Sequence, residues 1–94
     1  MNMLSAIGNT PLVELVKLVP NNNVRILVKC EFMNPSGSIK DRIVAHIIQQ
    51  AEQSGQLKPG GTIVENTSGN TGAAIAMLAA NKGYRAILTM PDKV

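Results

Sequence analysis

Residues 62–90 read TIVENTSGNTGAAIAMLAANKGYRAILTM, and this stretch decides the fold. Thr62-Ile63-Val64-Glu65 is a short apolar run of the kind that forms a buried strand. The loop Asn66 to Asn70 follows it. Thr71 to Lys82 is rich in alanine and nearly apolar around its whole circumference, so a helix there belongs between layers rather than on a surface. Gly83 ends that helix, and Tyr84 to Met90 forms the next strand. Strand, glycine-containing turn, helix and strand make a βαβ unit. The fold class this predicts is α/β with a parallel, Rossmann-like sheet.

Upstream of the unit, Lys58-Pro59-Gly60-Gly61 is a turn, and a second helix precedes it. This helix begins near Ser38, which can cap it, with Asp41 in the first turn suiting the positive end of the dipole. Ile43, Ile47 and Ala51 recur at helical spacing, Val44 and Ile48 widen the apolar stripe, and Gly55 is the stop. Further back, Val24 to Phe32 alternates, with Ile26, Val28 and Cys30 on one side and Arg25, Leu27, Lys29 and Glu31 on the other. That is a strand pattern. Asn21-Asn22-Asn23 and Gly8-Asn9-Thr10-Pro11 are turns, and Leu12-Val13-Glu14-Leu15 is a short extended segment. A parallel sheet needs more strands and covering helices than 94 residues supply. The unit therefore reads as incomplete, a fragment whose alanine-rich helix has one face without a partner.

Composition narrows the function. Nine Lys or Arg stand against six Asp or Glu, a formal charge of +3, but the basic residues are scattered. Phe32 and Tyr84 are the only aromatic residues. Without a basic run interleaved with aromatics there is no nucleic-acid face to expect. The single cysteine, Cys30, allows no internal disulfide and no cysteine-rich zinc site, and no metal site is expected. Met1 to Thr10 has neither a basic region nor an apolar core of a secretory signal, and no apolar stretch is long enough to cross a membrane. The cytoplasm is the expected location.

Two segments carry chemistry. Asn34-Pro35-Ser36-Gly37-Ser38-Ile39-Lys40-Asp41-Arg42 places Lys40 in the first turn of a helix after a tight Gly-Ser loop. The positive end of a helix dipole disfavours an ammonium ion, and the neutral amine is the form that attacks an aldehyde. The spacing is not that of a phosphate-binding P-loop. Thr67-Ser68-Gly69-Asn70-Thr71-Gly72 lies between a strand and a helix, where unpaired N–H groups and the dipole favour an anion. Thr67, Ser68 and Thr71 add hydroxyls, and the glycines admit a ligand close to the backbone. Each segment alone also fits an ordinary capped helix start.

Together, and in this order, the segments make the sequence resemble the cysteine synthase and cystathionine β-synthase family of pyridoxal-phosphate (PLP) enzymes, the fold-type II group. Ile7-Gly8-Asn9-Thr10-Pro11-Leu12 is similar to the family's opening motif and Asn34 to Arg42 to its lysine motif. Ala51-Glu52 and Leu57-Lys58-Pro59-Gly60 match the stretch after it. Glu65 with Thr67 to Gly72 resembles the substrate-carboxylate loop, and Gly83-Tyr84 through Met90-Pro91 continues the likeness. The resemblance covers nearly the whole chain. Asn66 departs from the small residue or proline usual in relatives, and Ala73-Ala74 from a Gly/Ile-type pair.

The resemblance implies roles. Lys40 would hold PLP covalently through its amine and, once freed by an incoming serine or O-acetylserine, would remove the α-proton. The β-substituent would leave and sulfide or homocysteine would add in its place. Asn70 would hydrogen-bond the 3′-oxygen of PLP, while Thr67, Ser68, Gly69 and Thr71 would grip the substrate carboxylate. The partners implied are an amino acid and a thiol or sulfide, with a homodimer in the full-length form. Residues up to about 40 would belong to a large PLP domain, and those from about 41 to 94 to the start of a small substrate domain. The family's PLP-phosphate loop and pyridine contact fall outside these 94 residues, so the piece alone is expected to be inactive. Lys29-Cys30-Glu31-Phe32 and Pro91-Asp92-Lys93 lean toward the cystathionine type.

Two other readings compete. A non-catalytic relative or interaction module would fail to bind PLP despite Lys40. A Rossmann-like nucleotide binder would use the Gly69–Gly72 turn, which lacks the Gly-x-Gly-x-x-Gly spacing and the acidic residue about 20 positions on. His46 is expected to be a surface or partly buried side chain and Cys30 a small apolar strand residue. Met33, Met77 and Met90 read as packing residues. Asp41 and Arg42 are explained by helix-start electrostatics and structural pairing.

Overall fold

The structure, a computed structural model, describes residues 2–93; Met1 and Val94 lie outside the described residues. After a 3-10 turn at Leu4–Ala6 come two short strands, β1 (Leu12–Glu14) and β2 (Leu27–Lys29), then a second 3-10 turn at Glu31–Met33. Helix α1 (Lys40–Gln53), strand β3 (Thr62–Asn66), helix α2 (Asn70–Lys82) and strand β4 (Arg85–Thr89) complete the order. β3 and β4 are parallel, in register from Thr62 opposite Arg85 to Asn66 opposite Thr89. The βαβ unit and its parallel sheet are thus as the sequence predicts. β1 and β2 form a separate antiparallel pair centred on Val13 opposite Val28.

The core lies between the two helices and one face of β3–β4. Val44 and Ile48 of α1 meet Ala74, Ile75 and Leu78 of α2, and Ile63, Ala86 and Leu88 of the sheet pack against them. Leu78 is completely buried. Gly83 closes α2 in the left-handed region, at φ 80°, and the Tyr84 N–H turns back to the Ala79 carbonyl at 2.9 Å. Glycine reaches that conformation without a Cβ penalty, which is why the helix stops there.

Four details differ from the expectation. The strand predicted over Val24 to Phe32 shrinks to three residues, because β1 offers only three partners and Glu31 turns inward to meet Arg42. Ile26, Val28 and Cys30 do form its more buried side. In α1 the buried line is Asp41, Val44 and Ile48, whereas Ile43 and Ile47 are 45% and 59% exposed. The apolar stripe is wider than the single neighbour, α2, can cover. The run Thr62 to Glu65 is mostly exposed, since the outer face of the sheet, with Val64 and Ile87, has no layer on it. Finally, α1 starts at Lys40 with Ile39 at the cap position, and Ser38 serves one residue earlier than a cap: its hydroxyl accepts the Lys40 N–H at 3.1 Å.

α2 buries Gly72, Ala74, Ile75, Leu78 and Ala79 but leaves Ala73, Ala76 and Ala80 exposed, so its second face lacks a partner. The whole chain reflects this. Its radius of gyration is 17.0 Å, against about 12 Å for a closed domain of this length. Its accessible surface is 6662 Å², against about 5,200 Å² for a self-contained protein of this mass. Among the described residues no helix is long and apolar enough to cross a membrane.

Candidate active site

Lys40 opens α1 and Asn70 opens α2. The helices end side by side, where the Lys82 amine reaches both Glu52 carboxylate oxygens at 2.9 and 3.0 Å. The shared core lies upstream of that pair on both helices. They therefore run in the same direction, and their first turns lie at one end of the layer, the end onto which β3 delivers its carboxyl terminus. Ligands of parallel α/β sheets bind at that end.

Lys40 is held from both sides. Asp41, fully buried, accepts the Ser36 N–H at 2.8 Å and the Ser36 hydroxyl, which ties the Gly37 loop to the first helical turn. Arg42 grips Glu31 with a two-pronged contact, Nε to Oε1 at 2.6 Å and Nη2 to Oε2 at 3.1 Å. The hydrogen bonds from Arg42, then from Thr10, hold the Glu31 carboxyl down at about 2, and the Glu31 contact raises Arg42 in turn. Lys40 and Lys82 are the two partly buried lysines among the described residues. Lys82 is committed to Glu52. The Lys40 amine has no hydrogen-bond or ion-pair partner among the described residues, so it is available to an aldehyde without losing a structural contact.

The loop after β3 is organised by Thr67. Its N–H bonds to the Thr89 carbonyl at 2.9 Å, prolonging the sheet by one residue. Its hydroxyl oxygen accepts the N–H groups of Gly69 at 3.3 Å and Gly72 at 3.2 Å. Thr67 therefore shapes the turn, with only its hydroxyl proton left to donate elsewhere. The hydroxyls of Ser68 and Thr71, the side-chain amide of Asn70 and the N–H groups of Ser68, Asn70 and Thr71 are unpaired among the described residues. Donors gathered at a helix start suit an anion. An uncommitted, half-buried amine at one helix start and free donors at the next fit an aldehyde-bearing cofactor and a carboxylate.

Other candidates contribute little. A cavity of about 520 Å³ lies behind α1, against Leu4, Ile7, Ala45, His46 and Gln49; Arg42 reaches its wall, but neither Lys40 nor any residue of the Thr67–Thr71 segment lines it. His46 is exposed and Cys30 is buried and free. No group of three His, Cys, Asp or Glu converges among the described residues. The Glu31–Arg42–Thr10 network escaped sequence reading because its members are 11 to 32 residues apart.

This geometry has close counterparts. A family model described as pyridoxal-phosphate dependent enzyme matches residues 3–94. A probable cysteine synthase of Bacillus subtilis is 56% identical over 97% of this chain and 29% of its own length. Cystathionine beta-synthase of Mus musculus is 52% identical over 99% of the chain and 17% of its own length. The crystal structure of an O-ureido-L-serine synthase superposes with a TM-score of 0.94 at 48% identity, over 98% of this chain and 29% of that one. The fold is thus that of the cysteine synthase-like, fold-type II group. The chain belongs to the pyridoxal-phosphate-dependent enzyme family, and PLP is the family's cofactor. It spans less than a third of the length of these relatives.

Proposed function

We propose that the complete gene product replaces the β-substituent of serine or O-acetylserine with a sulfur nucleophile, forming cysteine or cystathionine. The observation that carries this reading is the uncommitted, half-buried Lys40 amine at the same end of the layer as the free donors of Ser68, Asn70 and Thr71. Bound PLP supplies the electron sink for such chemistry. Lys40 holds the cofactor and, when released, carries the α-proton. Asn70 donates to the cofactor's 3′-oxygen. Thr67, through its free proton, Ser68 and Thr71 orient the substrate carboxylate, and Gly69, whose N–H is held by the Thr67 hydroxyl, lets it approach the backbone closely.

Several finer points belong to the same proposal. The reaction partners are a small amino acid and a sulfide or thiol, the full-length protein is a homodimer, and it works in the cytoplasm. The two separate sheets, β1–β2 and β3–β4, support a division near residue 40 between a larger cofactor domain and a smaller substrate domain. The large open surface of residues 2–93 supports inactivity of this piece by itself. The test is to assay the complete gene product for cysteine from O-acetylserine and sulfide, and for cystathionine from serine and homocysteine. One of these is formed, and Lys40→Ala lowers the rate about 10²–10⁴-fold. Absence of both products and of PLP binding would instead identify a non-catalytic relative.

A further inference from the structure

Three segments distant in sequence meet two residues beyond Lys40. Glu31 Oε2 accepts the Thr10 hydroxyl at 2.5 Å, and Thr10 Oγ1 accepts Arg42 Nη2 at 3.1 Å. Asn34, itself buried, donates to Glu31 Oε1 at 3.0 Å and to the Glu31 carbonyl at 2.8 Å, while its Oδ1 accepts the Gly8 N–H at 2.8 Å. The Arg42 guanidinium lies against Gly8 so closely that a Cβ there would sit 3.1 Å from Nη1. The arm at residues 8–10, the 3-10 turn after β2 and the start of α1 are thereby fastened to one carboxylate. No side chain in this network reaches the Lys40 amine.

We infer that Thr10, Glu31 and Arg42 are positioning residues that fix the direction in which Lys40 leaves α1. The inference rests on the PLP reading given above. A two-pronged guanidinium–carboxylate contact sets orientation as well as distance. Half-buried ion pairs of this kind are often replaceable by apolar side chains with little loss of stability, so stability alone does not account for one. Lys40 has no bond of its own to hold it, and its aim comes from the backbone on either side: Asp41 fixes the loop side, and Arg42 the helix side. A displacement near 1 Å at a reacting group costs roughly 10²-fold, so loosening one clamp is visible in the reactivity of the amine.

The experiment uses the complete gene product, with PLP added, the adduct trapped by borohydride, and label at each lysine quantified by peptide mapping alongside the thermal midpoint. The variants are Glu31→Gln and Arg42→Lys, with Thr10→Val as a milder change that leaves the ion pair intact. Glu52→Gln is the control: it breaks a comparable network at the far ends of the helices. We expect Glu31→Gln and Arg42→Lys to slow labelling of Lys40 about tenfold or more at temperatures where each is folded. Thr10→Val slows it less, and Glu52→Gln lowers the midpoint without slowing it. The inference is overturned if Lys40 labels at the wild-type rate in the folded Glu31 and Thr10 variants. It is equally overturned if labelling follows the midpoint alone, so that Glu52→Gln loses as much. A wild-type protein that takes no label on Lys40 overturns the PLP reading itself, and the inference with it.

Discussion

At Glu31 a single carboxylate accepts hydrogen bonds from three side chains, and its acidity records this. The folded state holds its proton affinity at about 2, below the ordinary value of 4.5. A depressed carboxyl contributes stability that is present above its unfolded value and is lost as pH falls through its folded one. Acid unfolding of the complete gene product should therefore steepen between about pH 4.5 and 2. Glu31→Gln should be less stable at neutral pH and flatter across that window, as read by circular dichroism against pH; an unchanged profile would show that the contact carries no net stability. At this scale the sequence was readable where motifs are contiguous. Lys40 and the Thr67–Thr71 hydroxyls were singled out as candidates because each run supplies both the chemistry and the local turn. Glu31, Thr10 and Asn34 were not, because their pairing exists only once the arm, β2 and α1 have come together.

Helices α1 and α2 are joined by a core in their middle and a polar staple at their ends. Leu78, fully buried between them, should cost about 2–5 kcal/mol when replaced by alanine, measured by denaturant unfolding. At the other end of α2, a Cβ on Gly72 would stand 3.0 Å from Thr67 Cγ2. Thr67 cannot move away without straining its hydrogen bonds to the Gly69 and Gly72 N–H groups. Gly72→Ala is expected to lose about 1–3 kcal/mol. Adding Thr67→Ser, which removes the methyl group and keeps the hydroxyl, should recover part of that loss in a double-mutant cycle. The staple has its own pH signature. The hydrogen bond from Tyr84, then that from Lys82, lowers Glu52, and the same contact raises Tyr84. Stability from the Tyr84 contact is present below the ordinary tyrosine value near 10 and is lost as pH rises through the raised folded one. Tyr84→Phe should remove that part of the alkaline decline in unfolding curves. The order and type of α1, β3, α2 and β4 were legible from periodicity and glycine stops. The burial of each face was not: periodicity marks which residues are apolar, whereas burial depends on which neighbour arrives, and α1 received one where its stripe could serve two.

For the whole molecule, the excess surface, the bare outer sheet face and the uncovered alanines of α2 describe a layer that is half enclosed. The sequence already implied this, since its βαβ unit has too few strands for a parallel sheet, and the relatives are more than three times as long. A half-enclosed layer still carries the lysine and the donor loop at one end, each shaped by bonds within residues 2–93. The most direct test of the central claim, that Lys40 is the PLP-binding amine, is to incubate the complete gene product with PLP, reduce with borohydride and map the label by peptide mass spectrometry. The account predicts label concentrated on Lys40 and lost in Lys40→Ala. Label spread evenly over the exposed lysines, or none at all, would contradict it.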